Sequence, residues 1–305
     1  MARHLRLAAV GVRPPSAESK TLERGTMLDL VIHHIRREIE PALAWRPDLI
    51  LLPERCDRPL DLEPSEEERW DAESSPRVRD LLRDMARRGS AVVVCGVGRS
   101  LVVVADRDGS TRDVDRGADA PPALVPSSIG TIALCLGDDL QDAVVMKRYQ
   151  ELRPDLLLLA SRFPGGMLEQ YWAFSCRAHL ASAVLYRSDL RLPCRIVSPV
   201  GAVLAFSTTA QTHARAIVNL DSAVVHLDDH REKLLALQTD RGDHIRITDP
   251  GHLGAVCVSN EAPSGTIQEI LANAGIATID QYFSRYLSAR DRSPRPVPRR
   301  DGHGA

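Results

Sequence analysis

Apolar positions along this chain fall into short continuous runs and longer stretches of three-and-four spacing, so strands and helices alternate from the start. Leu5 to Val12 predicts a first strand, and Thr26 to Leu43 carries Leu28, Val31, Ile32, Ile35 and Ile39 at the spacing of an amphipathic helix. Asp48 to Leu52 is a buried-type strand that ends at Pro53-Glu54. The acidic stretch Asp57 to Ser75, with Pro59 and Pro64, reads as a surface loop leading to a helix at about Pro76 to Arg88. Ala91 to Val97 and Leu101 to Asp106 are Val-rich strands turned at Gly98-Arg99-Ser100.

A polar loop is expected from Asp108-Gly109 to Ser128, then a strand from about Thr131 to Leu136. Helices follow at about Leu140 to Leu152 and Met167 to Leu180, with strands at Asp155 to Ala160, Ala183 to Arg187, Arg195 to Ser198, Val203 to Phe206 and His213 to Asp221. Ser222 to Leu237 is expected to be helical, and residues 249 to 290 to add one strand, Gly254 to Ser259, and two short helices. From Asp291 onward prolines among arginines predict a disordered tail.

The pattern repeats within the chain. Arg46-Pro-Asp-Leu-Ile-Leu-Leu-Pro-Glu-Arg55 and Arg153-Pro-Asp-Leu-Leu-Leu-Leu-Ala-Ser-Arg162 agree at seven of ten positions, and each follows a helix and precedes a loop, a helix and a glycine-turned strand pair. A duplicated α-β-β unit is the simplest account, the competing one being a chance likeness between two apolar strands. Alternation excludes an all-β fold and the strand pairs argue against a purely parallel sheet, so two mixed sheets packed face to face, with helices outside, are expected.

Composition narrows the function classes. With 39 basic and 41 acidic residues in 305, the chain has no overall charge that would draw it to nucleic acid or an anionic membrane. No apolar run reaches the roughly 18 residues of a membrane span, and a soluble, cytoplasmic protein is expected. Six scattered cysteines, Cys56, Cys95, Cys135, Cys176, Cys194 and Cys257, form no C-x-x-C pair and are expected to be reduced and buried. Gly96-Val-Gly98 precedes a strand and lacks the last glycine of a dinucleotide fingerprint, and His226 and His230 at helical spacing have no third metal ligand in view.

Two reactive side chains stand where apolar strands end, at Glu54 and Cys135. A thiolate is a strong nucleophile, and a nearby carboxylate in a closed pocket can take the thiol proton and return it to a leaving amine. That pairing suits amide or nitrile chemistry. The competing readings are a packed core thiol at Cys135 and a structural ion pair from Glu54 to Arg55 or another arginine.

Several segments together resemble the nitrilase superfamily of carbon–nitrogen hydrolases: Leu-Arg-Leu-Ala-Ala-Val near the start, Pro-Asp-Leu-Ile-Leu-Leu-Pro-Glu at 47 to 54, Asp108-Gly109, Ile129-Gly130-Thr-Ile-Ala-Leu-Cys135, Arg153 to Ala160, Arg177-Ala178 and Pro199-Val-Gly-Ala-Val-Leu-Ala205. They fall in family order over roughly residues 4 to 247. The resemblance implies a four-layer α-β-β-α sandwich, with Glu54 as general base and Cys135 as the nucleophile of an acyl-enzyme hydrolysed by water. It implies a small-molecule substrate, no metal or organic cofactor, and a homodimer or larger homo-oligomer. By this reading residues 1–247 form the hydrolase domain, 248–290 an extension packed on it, and 291–305 the tail.

The departures bear on activity. The family lysine that assists the tetrahedral intermediate is missing, because no lysine lies between Lys20 and Lys147, and Arg112 and Arg116 stand in that stretch with Arg116 nearest the expected place. The Cys-x-Asp pattern becomes Cys135-Leu136-Gly137-Asp138-Asp139, and Asp142 stands about where a family glutamate would be. The expected function is a hydrolase of non-peptide carbon–nitrogen bonds in small amides or related compounds, and the alternative is a catalytically degenerate member that binds a small molecule or a protein.

Overall fold

A computed structural model describes residues 1–15, 22–60, 62–117, 121–186, 193–208, 210–251 and 254–291. The first half is β1 (His4–Val10), α1 (Arg24–Leu43), β2 (Leu49–Leu52), α2 (Glu67–Gly89), β3 (Val92–Val97), β4 (Leu101–Ala105) and β5 (Thr111–Asp115). The second half is β6 (Leu124–Ser127), β7 (Gly130–Leu136), α3 (Ala143–Leu152), β8 (Leu156–Ser161), α4 (Met167–Cys176), β9 (His179–Val184), β10 (Arg195–Val197), β11 (Val203–Phe206) and β12 (His213–Asn219). After these come β13 (Ser222–His226), α5 (Arg231–Arg241), β14 (Ile245–Thr248), β15 (Ala255–Asn260), α6 (Ile267–Asn273) and α7 (Ile279–Asp291).

Two six-stranded mixed sheets result, in the orders β12-β1-β2-β3-β4-β5 and β11-β10-β9-β8-β7-β6. Within each, the strands of the repeated motif are parallel to their neighbours: β1, β2 and β3 in one sheet, β7, β8 and β9 in the other. Strand alternation then builds three apolar layers. Leu49 and Leu51 face Leu134, Leu136, Leu156 and Leu158 between the sheets, Ile50 and Leu52 face α1 and α2, and Leu157 and Leu159 face α3 and α4. This is the α-β-β-α sandwich with two mixed sheets that the duplicated motif predicts.

The duplication extends to polar detail. Asp48 accepts from the backbone N–H of Arg6 at 2.8 Å, and its counterpart Asp155 accepts from that of Thr131 at 2.8 Å, each locking a neighbouring strand to the start of its own.

Several elements differ from the sequence expectation. The stretch from Glu67 onward is already helical, with Pro76 inside α2. The polar segment 108 to 128 contains the edge strands β5 and β6. Ser222 to His226 is a strand, with the helix starting only at Arg231. β13 joins β15 and β14 in a separate three-stranded sheet, and the expected division at 247/248 falls inside β14. Beyond Asp291 the predicted tail lies outside the described residues. All six cysteines are free and buried, and among the described residues no helix is long and apolar enough to cross a membrane.

Candidate active site at the strand ends

β2 stops because Pro53 has no N–H to continue a ladder, and the chain then turns sharply, with Arg55 in the left-handed region at φ 56°. The turn sends Glu54 across the ends of β3, β7 and β8. Gly96 on β3 makes room, since a Cβ there would lie 2.7 Å from the Glu54 Cα. Glu54 is 6% exposed. Its Oε1 accepts from the Arg162 backbone N–H at 3.0 Å and lies 3.5 Å from the Arg162 Nε. Burial raises the Glu54 carboxyl above its ordinary range, and Arg162 opposes that rise.

The residue that faces this carboxylate across the gap is Gly137. A Cβ built on it would stand 3.1 Å from Glu54 Oε1, 2.6 Å from the Ser161 Oγ and 3.2 Å from the Phe163 ring. Ser161 is itself engaged, donating to the Phe163 carbonyl and accepting from its N–H. Asp138, largely exposed, lies 3.9 Å from the Arg162 guanidinium. Behind Glu54 the turn is fixed by charge: Arg55, Arg58 and Arg99 converge on Glu67, and buried Asp57 accepts from the Gly98 N–H at 3.1 Å. Gly98 is thus the hairpin turn, at φ +63°, and not part of a nucleotide loop.

Cys135 lies in a different layer. On β7 it shares the helix-facing side with Ala133 and packs with Leu140, Tyr149, Leu157, Leu159, Trp172 and Cys176 at 2% exposure. Burial pushes its thiol well above the ordinary range; Asp139 adds to the rise and Arg116 opposes it. Arg116 holds Asp139 at 3.0 and 3.1 Å, with its guanidinium 6.0 Å from the Tyr149 ring centre. The Tyr149 hydroxyl donates to the Leu134 carbonyl.

The sequence-predicted residues therefore form two clusters joined by a 3₁₀ turn, Gly137–Gln141. Glu54 gathers with Arg162, Gly137 and Asp138; Cys135 gathers with Arg116, Asp139 and Tyr149. Among the described residues no hydrogen bond joins Cys135 to Glu54. Arg112 points elsewhere, donating to the Pro126 carbonyl at 3.3 Å, and Asp142 caps α3 by accepting from Val144 and Val145. Sequence reading missed Arg162 and Gly137. The internal repeat held the signal for the first, because Arg162 is the counterpart of Arg55, next to Glu54. The histidine pair is not helical: His226 ends β13 and stacks on Tyr282 with ring centres 4.5 Å apart, while the His230 Nε2 accepts from the Ala277 N–H. Among the described residues no group of three or more His, Cys, Asp or Glu is placed to hold a metal ion.

No protein-family model matches this sequence, and no curated protein matches it at a significant level. Solved structures do match. A carbon–nitrogen hydrolase from Helicobacter pylori G27 superposes with a TM-score of 0.59 at 13% identity, over 72% of this chain and 90% of its own. The C. elegans NitFhit protein gives 0.58 at 14% identity, over 90% of this chain and 98% of its own. A mutant of the Nesterenkonia sp. AN1 amidase, with acrylamide added to its active-site cysteine, gives 0.53 at 17% identity, over 76% of this chain and 98% of its own. At identities this low the likeness speaks to architecture: the chain has the fold of the carbon–nitrogen hydrolases of the nitrilase superfamily.

Proposed function

We propose that this protein binds a small carboxamide-like molecule reversibly at the ends of β2, β7 and β8, without forming an acyl-enzyme. The observation that carries this reading is Gly137: the position facing the Glu54 carboxylate bears no side chain, while the Cys135 thiol, two residues before it, is turned toward α3 and α4 and pushed by burial well above its ordinary range. A buried carboxylate accepts an amide N–H, and the partly exposed Arg162 guanidinium donates to an amide carbonyl. The test is paired. Titrating propionamide by calorimetry is expected to give saturable binding that weakens at least tenfold in Glu54→Gln. Incubating with propionamide is expected to release no ammonia. Ammonia release that is lost in Cys135→Ser would overturn the proposal, as would the absence of propionamide binding.

A second reading, hydrolysis of non-peptide carbon–nitrogen bonds through Cys135 and Glu54, is favoured by the retention of both residues at strand ends and by the amidase likeness. It requires the Gly137–Gln141 turn to rearrange so that the sulfur reaches the Glu54 side. Acrylamide separates the two: selective alkylation of Cys135 that is lost in Glu54→Gln supports the hydrolase, whereas Gly137→Cys becoming the alkylated position supports the binding protein. We also infer self-association through the outer faces of α3 and α4, where Val144, Met167, Leu168 and Tyr171 are exposed.

A further inference from the structure

The opposite edge of the strands, where β8 and β9 begin, is built differently. Here a cleft of 680 Å³ separates the sandwich from the unit formed by β13, α6 and α7, and a second cleft of 590 Å³ opens on the other side of the same seam. His179, the first residue of β9, lines both. It is 6% exposed, and among the described residues its side chain makes no hydrogen bond, burial being the sole influence on its ring. Burial alone lowers its pKa to about 4, so at neutral pH it presents an uncharged ring with one donor and one acceptor unused. Buried polar groups are ordinarily satisfied, and an imidazole left open at the meeting of two clefts is an observation that points to a ligand.

The first cleft has an excess of positive charge. Arg153 and Arg177 cap the C-terminal ends of α3 and α4, both in the left-handed region at φ 53° and 56°, and this brings both guanidinium groups to one rim. They share a single carboxylate: Asp280 lies 3.2 Å from Arg177 and 3.8 Å from Arg153. Arg285 lines the same space. The other carboxylate in the wall, Asp155, is committed to Arg3 at 2.8 Å and to the Thr131 N–H and hydroxyl. Arg177 is held rigidly, stacked 4.5 Å from the Phe174 ring centre and donating to the Phe174 carbonyl. Non-glycine residues in left-handed conformations carry strain that tends to persist where a site uses it.

We infer that this cleft binds a small oxyanion-bearing molecule, a carboxylate or a phosphate compound, whose anionic end lies between Arg153 and Arg177 and whose uncharged polar end hydrogen-bonds to His179. Guanidinium forks suit either oxyanion, and the cleft volume matches that of small-molecule sites, about 300 to 1,000 Å³. The site stands apart from Glu54, so the two readings stand or fall separately.

Citrate and glycerol 3-phosphate, each titrated calorimetrically into the full chain at constant ionic strength against a chloride control, test it. Saturable binding of one identifies the oxyanion as carboxylate or phosphate, and of both shows that the cleft accepts either. The double variant Arg153→Gln, Arg285→Gln removes two exposed side chains and is expected to lower affinity at least tenfold without changing Tm in the absence of titrant. Glu54→Gln is expected to bind as the wild type does. In NMR spectra the ring C–H resonances of His179 are expected to shift on titration. The proposal is overturned if neither compound binds saturably, if the double variant binds equally well, or if the His179 resonances stay fixed.

Discussion

Burial makes the charged form of Glu54 costlier in the folded protein than in water, and Arg162 opposes that cost. Its folded pKa lies above the ordinary 4.5 because of burial, so the stability conferred by the protonated form is complete below 4.5 and is lost as pH rises through the folded value. At neutral pH its ionisation is therefore costlier in the folded chain than in the unfolded one. Glu54→Gln keeps the acceptor for the Arg162 N–H and is expected to stabilise the protein at pH 7, a gain that disappears below pH 4.5 in urea titrations. His179 works on the acid limb in a related way. Its folded pKa of about 4 lies below the ordinary 6.5, so its contribution is present above 6.5 and is lost as pH falls toward 4. The loss amounts to at most about 3 kcal/mol. Stability measured at pH 7 and pH 4.5 is expected to differ less in His179→Gln than in the wild type. Glu54 was legible in the sequence because a carboxylate directly after an apolar strand has few places to go. The orientation of Cys135 was not, because strand parity alone decides which face a side chain takes, and a shift of one residue reverses it.

At the scale of elements, the strands that were legible are those buried on both faces, such as β2, β3 and β8, whose residues are apolar without interruption. β5, Thr-Arg-Asp-Val-Asp, is an edge strand with largely solvated side chains and carries no such signal. β13 carries no boundary from α5 in the sequence, because no glycine or proline lies between Ser222 and Leu237. The short α3 depends more on its start than longer helices do. Asp142 accepts from Val144 at 2.7 Å and from Val145 at 3.3 Å, and Asp142→Ala is expected to cost about 1 kcal/mol in chemical denaturation. Since α3 follows directly on the turn that carries Gly137 and Asp139, the same variant is expected to increase amide hydrogen exchange across 137 to 145.

For the molecule as a whole, the repeat determines what faces what. Arg55 and Arg162 are equivalent positions in the two halves, and the face-to-face packing of the sheets brings Glu54, the neighbour of one, onto the other. The sequence held the halves but not their docking, which is why Arg162 and Gly137 escaped notice while the sandwich did not. The outer layer of the second half carries the exposed apolar side chains of α3 and α4, with Met167 83% exposed and Tyr171 55% exposed. Sedimentation equilibrium is expected to show a dimer or larger assembly, and Met167→Glu with Tyr171→Glu is expected to yield monomers of unchanged circular dichroism.

The first strand is not at an edge of its sheet. β1 lies between β2 and β12, pairing His4 with Asn219 and Val10 with His213. On a ribosome adding about 5 to 20 residues per second, that partner emerges roughly 10 to 40 seconds after β1 does. Throughout that interval the β1 edge of the nascent first half is unpaired in addition to the β5 edge, and a chain cut short before residue 213 keeps it so, a template for aggregation that β12 covers in the finished chain.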